Sequence, residues 1–277
     1  MHTPVLLKET LQNLRVRRGG LYIDATVGEG GHFKKILEEG GKVLGIDRDM
    51  RQIAKLKLNF KEAELVLGNF AQIEHIAKAH NFYPVDGILF DLGLSFGQIE
   101  KSGRGFSYKQ LNDQLDMRIG EEISIKASDL INSLNKEELY EIFANNSEEI
   151  NSGAIAQAIV SARRLKKLTT VEDLVTVIEK ALGQSNTRVL SRIWQALRIE
   201  VNQEFDNLKM GLKGSLNILK PGGRAIVITF HSLEDRIVKQ FIDAKKSMIA
   251  EDSLIRSRSR TGFGRSAKLR IIVKNSR

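Results

Sequence analysis

The stretch that most constrains this chain is Asp24-Ala-Thr-Val-Gly28-Glu-Gly30-Gly31-His32, where the apolar run Leu21–Val27 stops in glycines and a helix-patterned segment, Phe33–Glu39, begins. A strand that turns through glycine straight into a helix lets the backbone approach a ligand, with the free amides of the first helical turn facing it. The unit then repeats. Lys42–Ile46 reads as a second strand ending at Asp47, Met50–Leu58 as a helix, Glu64–Leu67 as a short strand and Gln72–His80 as a helix. Val85–Leu92 is the near-continuous apolar run that a central parallel strand requires. This β-α-β-α order predicts an α/β fold, an open sheet with helices on both faces.

The alternation then breaks. From about Leu111 to Leu190 the pattern is helical, with capping-box signatures at Asn135/Glu138 and Thr169/Glu172. Apolar residues at three- and four-residue steps from Val189 to Leu219 predict one long helix, stopped by Pro221-Gly222-Gly223. Arg224–Phe230 resumes the sheet, Leu233–Lys245 reads as a helix, and Lys268–Lys274 as the last strand. The expected organisation is a sheet domain in two parts, residues 1–108 and 200–277, around an all-helical insert at 109–199.

Composition narrows the chemistry. The 277 residues contain no cysteine, which excludes disulfide scaffolds, thiolate zinc sites and thiol catalysis. The five histidines lack metal-binding spacing, so no metal is expected. No phosphate-binding G-x-x-x-x-G-K-[ST] or hydrolase G-x-S-x-G signature occurs. No apolar run is long enough for a membrane span and the start lacks the marks of a secretory signal, so a cytoplasmic location is expected. Of the formal net charge of +9, eight positive charges fall between Ser253 and Arg277, which holds no acid. Such a tract fits a polyanion, nucleic acid above all, or is a solvated tail.

Five places carry candidate chemistry. The glycine turn, with Gly30, Gly31 and His32, has the spacing G-x-G-G rather than that of a dinucleotide binder. Asp47 either accepts hydrogen bonds from a ribose or caps the next helix, a role for which Asp49 is equally suited. Phe70 either lies beside an adenine or fills the core. Asp91, which closes the Val85–Leu92 run, is costly to bury without a partner and falls at a strand's carboxyl end, where ligands of open α/β sheets bind. Gln98 and the segment Ser102–Tyr108 either close over a base, with Phe106 stacking and Arg104 on phosphate, or merely connect. His231, in His231-Ser-Leu-Glu-Asp-Arg236, either caps a helix or touches substrate. Within the basic tract, Arg265, Lys268 and Arg270 are the candidate phosphate contacts.

At these residues the sequence resembles the bacterial MraW/RsmH family of small-subunit ribosomal RNA methyltransferases. The resemblance rests on HTPVLLKETL near the start, DATVGEGGH at Asp24–His32, GIDRD at Gly45–Asp49, DGILFDLGLS at Asp86–Ser95 and RGFSY at Arg104–Tyr108. It continues through LDMRI at Leu115–Ile119, QALRIEVNQE at Gln195–Glu204, PGGRAIVITFHSLEDRIVKQF at Pro221–Phe241 and RSAKLR at Arg265–Arg270. Phe96-Gly97 and Thr261–Gly264 depart from the family's usual residues.

The resemblance implies a Rossmann-like methyltransferase sheet with an inserted helical domain that recognises RNA. It implies S-adenosylmethionine as cofactor, held by Gly30, Gly31, His32, Asp47, Phe70, Asp91 and Gln98. It implies methylation of the N4 amine of a cytidine in the decoding region of 16S rRNA, in the small subunit or its precursor. Asp91, or a carbonyl of Asp91-Leu92-Gly93, is the expected acceptor for the amine hydrogens. Competing readings are a nicotinamide-dependent oxidoreductase, a DNA amino-methyltransferase, and a non-catalytic RNA-binding assembly protein that keeps a nucleoside pocket.

Overall fold

A computed structural model describes residues 4–257, 259 and 263–276, without the side chains of Phe96, Lys101 and Phe263. In chain order the elements are α1 (Leu7–Leu14), β1 (Leu21–Asp24), α2 (Gly31–Glu38), β2 (Lys42–Asp47), α3 (Met50–Asn59), β3 (Glu64–Leu67), α4 (Ile73–Ala79), β4 (Val85–Asp91) and α5 (Phe96–Lys101). Then follow α6 (Ala127–Ser133), α7 (Lys136–Ser147), α8 (Ser152–Arg163), α9 (Val171–Leu182), α10 (Thr187–Asn202) and α11 (Glu204–Ile218). The chain closes with β5 (Leu219–Thr229), α12 (Ser232–Ala244), β6 (Ile249–Arg256) and β7 (Lys268–Lys274). Two compact units result, one from residues 1–93 and 205–277, the other from 94–204. The boundaries drawn from sequence at 108/109 and 199/200 both fall inside the second unit, which therefore takes in Gln98, Arg104 and Phe106.

The first unit is a seven-stranded sheet in the order β3-β2-β1-β4-β5-β7-β6. Strands β3 through β5 pair in parallel, while β7 runs antiparallel to β5 and β6. Alternate residues face opposite sides. Ile23, Leu44, Ile46 and Ile88 pack with Ile73, Leu208, Leu212 and Val238 on one face. Tyr22, Val43 and Leu89 pack with Leu14, Phe33, Ile36 and Ile53 on the other. The strand order reverses between β1 and β4, the point where doubly wound sheets open a crevice at their carboxyl ends.

Four expectations need correction. The single helix expected from Val189 to Leu219 is two helices, interrupted at Gln203, whose φ is 52°. The Asn202 side chain just before it accepts from the Ile119 N–H at 2.8 Å and donates to the Met117 carbonyl at 2.8 Å. Periodicity carries through a one-residue break because apolar spacing resumes on its far side. Secondly, Pro221-Gly222-Gly223 does not end the helix; Ile218 does. The proline and glycines bulge out of β5, where the register passes from Val85↔Leu219 to Gly87↔Arg224. Thirdly, the cap of α9 is Thr170 with Asp173, one residue beyond the expected pair. Fourthly, β6 was not expected; it is an edge strand with exposed residues on both faces, so it lacks the alternation that marks a half-buried strand.

The second unit builds its own core from α6 to α10, with Phe106, Leu115 and Met117 inserted from the preceding loop. Trp194 Nε1 donates to the Gly105 carbonyl at 2.9 Å and tethers that loop to α10. Among the described residues no helix is long and apolar enough to cross a membrane.

Helix α12 is fixed to β7 by a charged clamp. The Asp235 carboxylate accepts from Arg270 Nε at 2.6 Å and Lys268 Nζ at 2.7 Å; burial pushes its carboxyl up, and the two cations outweigh that and hold it below the usual range. These three side chains are largely buried. Asp235→Ala is expected to lower the unfolding free energy by about 3 kcal/mol, because two cations keep their desolvation cost and lose their counter-charge. Urea denaturation checks this; a loss below about 1 kcal/mol, the range of an exposed pair, would contradict it.

Candidate active site

Parallel pairing brings the carboxyl ends of β2, β1 and β4 side by side, and each of these strands ends in an aspartate: Asp47, Asp24 and Asp91. The turn after β1 wraps across them. Gly30 has φ 80°, a conformation other residues rarely adopt, and a Cβ on Gly31 would meet the Pro4 ring at 2.3 Å. Glycine is required there by the turn and by the close approach of the chain's first segment. Helix α2 then starts with His32, which is 4 % exposed.

Asp47 accepts from the Gly28 N–H through Oδ2 and from the Asp49 N–H through Oδ1, both at 2.8 Å. The cap of α3 is made by Asp49, whose Oδ1 accepts from the Arg51 N–H at 3.0 Å. Asp47 is thus left at the strand tip. Burial pushes its carboxyl up to about 6, against the pull of the hydrogen bonds from Asp49 and Gly28.

Asp91 Oδ2 lies 3.4 Å from His32 Nε2. Its Oδ1 is buried without a hydrogen-bond partner, as are both ring nitrogens of His32. The Asp91 N–H donates to Thr26 Oγ1 at 2.7 Å, which ties the tip of β4 to the turn after β1. Burial opposes a charge on His32, yet the facing carboxylates of Asp91 and then Asp24 outweigh it, and the imidazole is shifted upward.

Asp24 was read from sequence only as the start of the glycine turn. It is 2 % exposed and accepts from the Thr26 N–H at 3.3 Å. Burial pushes it up to about 7; the charge of His32 and that hydrogen bond pull it down, and Asp91 and Asp47 add to the rise. The signal was present, since an acid closing an apolar strand is the same cue that marked Asp91. Thr26 carried no such signal, because its partner is 65 residues away.

Phe70 follows β3 and packs edge-on against Phe90, with centroids 5.6 Å apart, partly buried in the core. A Cβ on Gly211 of α11 would meet the Phe70 ring at 2.8 Å, so its place depends on that helix surface. His231 caps α12 at the end of β5, in a capping box with Glu234. Its ring lies 6.0 Å from that of Phe205.

The remaining predicted residues fall elsewhere. Gln98 belongs to the second unit, where it forms the capping box of α5 with Ser95. Phe106 is 8 % exposed inside the helical core, so stacking on a base is replaced by packing. Arg104 donates through Nη1 to the carbonyls of Arg118 and Ile119 at 3.0 and 2.8 Å, which makes it a loop brace rather than a phosphate arm. Tyr108, a further stacking candidate, lies edge-on to Trp194 at 6.0 Å. Lys268 and Arg270 are held by Asp235 rather than turned to solvent. Of the three candidate phosphate contacts, Arg265 alone is exposed. Arg258, Arg260, Arg277, Thr261 and Gly262, together with the first three residues, lie outside the described residues.

Known proteins resemble this chain over nearly its whole length. The model of the MraW methylase family matches residues 1–275. A protein of Thermomicrobium roseum called ribosomal RNA small subunit methyltransferase H is 44 % identical, over 87 % of this chain and 76 % of its own. Its namesake in Dictyoglomus thermophilum is 39 % identical over 98 % of this chain and 96 % of its own. Among solved structures, one described as that of a putative rRNA-methylase from Clostridium thermocellum superposes with a TM-score of 0.50 at 13 % identity, covering 99 % of this chain and all of that one. The last likeness concerns the fold, the Rossmann-like methyltransferase sheet expected from the sequence.

The buried acids have a measurable cost. A carboxyl whose folded pKa exceeds its unfolded value binds a proton that the unfolded chain gives up, so its contribution to stability falls as pH rises between the two. For Asp24 that window runs from 3.8 to about 7. Asp24→Asn is expected to raise stability over the parent by roughly 2–4 kcal/mol at pH 8 and by far less at pH 4. Paired denaturation curves at the two pH values check it; a gain independent of pH would contradict the assignment.

Proposed function

The chain belongs to the MraW methylase family, and from that premise we propose that it transfers a methyl group from S-adenosylmethionine to the exocyclic N4 amine of a cytidine in the decoding region of 16S rRNA, in the small ribosomal subunit or its precursor. The observation that carries this reading is Asp91: a carboxylate oxygen, buried and without a partner, at the carboxyl end of the strand beside the switch in strand order.

S-adenosylmethionine supplies a methyl group on a sulfonium centre that is already electrophilic. The residues present fit it. Gly30 and Gly31, where a side chain would collide with Leu56 and Pro4, let the turn after β1 pass close over the strand tips, and the unpartnered Asp91 Oδ1 and His32 nitrogens beside it are polar groups that a bound nucleoside could satisfy. Asp47 has the chemistry to accept from ribose hydroxyls, and Phe70 offers a ring beside the next strand tip. His32 completes the proposed set within this unit, and Gln98, engaged in the capping box of α5 in the second unit, is not part of it. The carboxylates of the crevice suit a cationic donor.

What remains for the protein is the nucleophile. A cytosine amine lends its lone pair to the ring, and turning that pair toward the methyl requires an acceptor for the amine hydrogens. Asp91 Oδ1 is that acceptor and takes the proton released as the new bond forms. Positioning the two reactants supplies much of the remaining acceleration. The base must leave its stack to reach a strand-tip crevice. His231, at the adjoining tip of β5, is placed to touch it, whereas Phe106 is not available.

Backbone contacts to the RNA are assigned to exposed cations, Arg265 and Arg256, with the helical unit as the recognition module. Location in the cytoplasm follows from the substrate.

Two measurements test this reading. Nucleoside mass spectrometry of 16S rRNA from cells lacking the protein is expected to show loss of one N4-methylated cytidine, restored by the parent chain. Asp91→Asn is expected to restore nothing and to slow single-turnover transfer by about a hundredfold or more at saturating cofactor; parental speed in that variant contradicts the role. For docking, Arg265→Ala should reduce the slope of log affinity against log salt by about 0.7–0.9, one phosphate's share. An unaltered slope would move the RNA path elsewhere.

A further inference from the structure

Beyond its place in the cofactor set, the ring of His32 has no role in the proton transfer described above, yet it lies 3.4 Å from the reacting carboxylate. It is 4 % exposed and both its nitrogens lack hydrogen bonds, an expensive state for an imidazole in a protein interior. Its surroundings explain why it is kept. Asp91 faces it from the end of β4 at 3.4 Å, and Asp24 faces it from the end of β1. The backbone of Val5, ahead of α1, adds a weaker pull in the same upward direction, and Asp47 acts on Asp24. Among the described residues, the strongest influences on the ring include no lysine or arginine.

We infer that His32 is a positioning residue for methyl transfer: its ring holds Asp91 Oδ2, and so presents Asp91 Oδ1 to the amine, with Asp24 steadying the ring from behind. This rests on the functional reading given above. A contraction of about half an ångström would turn the 3.4 Å approach into a charge-assisted hydrogen bond.

The geometry makes the division of labour specific. The Asp91 main chain is already fixed by Thr26 Oγ1, and Thr26 is fixed in turn by Asp24 Oδ1. The rotation of the Asp91 carboxylate remains to be set, and the imidazole faces it at 3.4 Å. With one oxygen occupied by the ring, the other is the base. In the transfer step the N4 lone pair forms the nitrogen–carbon bond, the sulfur–carbon bond breaks with its electron pair passing to sulfur, and the N4 proton goes to Asp91 Oδ1. The imidazolium keeps its own proton throughout and offsets part of the negative charge gathered at the strand tips. It donates to the carboxylate without competing for the substrate's hydrogen.

The test has two arms. In the cofactor-free protein the His32 imidazole, followed by NMR, is expected to titrate above 6.5, and to move down in both Asp91→Asn and Asp24→Asn, each of which removes a negative neighbour. An imidazole that titrates unchanged in Asp91→Asn overturns the inference. In the second arm, His32→Ala should slow single-turnover transfer to small subunits by about a hundredfold, the cost of a misplaced catalytic group. Affinity for S-adenosylhomocysteine is measured on the same variant, and transfer at saturating cofactor should fall by far more than that affinity does; retained binding also certifies the fold. His32→Gln, whose amide can still donate, should recover most of the rate and lose the limb of the pH profile that the imidazole imposes. Loss of rate matched by equal loss of cofactor affinity, or no recovery with glutamine, would reduce His32 to a cofactor or packing residue. If the parent chain itself methylates another atom or none, the function falls and this role with it, while the NMR arm still reports whether ring and carboxylate are coupled.

Discussion

The gathering of three carboxylates at neighbouring strand ends, two of them pushed up by burial, is the feature around which this edge of the sheet is arranged. Parallel strands all terminate on one side, and the order β2-β1-β4 sets Asp47, Asp24 and Asp91 next to one another. Each is managed differently. Asp47 is held by the amides of Gly28 and Asp49, and Asp91 faces the imidazole of His32. Asp24 receives one longer hydrogen bond from Thr26 and yields by raising its pKa to about 7. The glycine turn is the element that makes this possible. It crosses the strand tips closely enough to deliver one amide to Asp47, one hydroxyl to the Asp91 main chain, and one ring to the Asp91 side chain.

Much of that edge is legible in the sequence because its cues are local. An apolar run ending in an acid, and a glycine turn leading into a helix, are each short signals; they locate β1, α2, β2 and β4 and put Asp47 and Asp91 at strand ends and His32 in the first turn of α2, while Asp24 carries the same cue without being singled out by it. The rest depends on partners distant in the chain. The break at Gln203 has no mark in the apolar pattern, since the cause is Asn202 bonding to Met117 and Ile119, more than eighty residues earlier. Strand β6 is invisible for the opposite reason: it is defined by a ladder to β7, while its own side chains face solvent on both sides. The segment containing Gln98, Arg104 and Phe106 looks like a loop poised over a ligand because it is rich in glycine and aromatics. Its residues instead brace and fill the helical unit.

Charge counting fails in a similar way. Net charge treats every lysine and arginine as available, but availability depends on tertiary pairing. Asp235 comes from one signature segment, Lys268 and Arg270 from another, and the structure joins them. Both segments then owe their composition first to holding α12 on β7. What is left over for a polyanion is the set of cations without acids beside them, a smaller and more local surface than the sum of +9 suggests.

An enzyme has a use for acids that are costly to ionise at a strand edge. Two carboxyls raised by burial to about 6 and 7 represent charge that the surroundings provided by the protein alone tolerate poorly. On the proposed reading, the species that enters carries a positive sulfonium and ribose hydroxyls, which stabilise ionised carboxylates. A group that is costly in the free protein and relieved in the complex strengthens binding by the difference, and linkage requires protons to leave as the cation arrives. The spent cofactor is neutral at sulfur, so the relief is lost once the methyl has moved. A crevice of this kind therefore favours the charged donor over its product by the electrostatics of its own strand ends, without any contact to the methyl group itself.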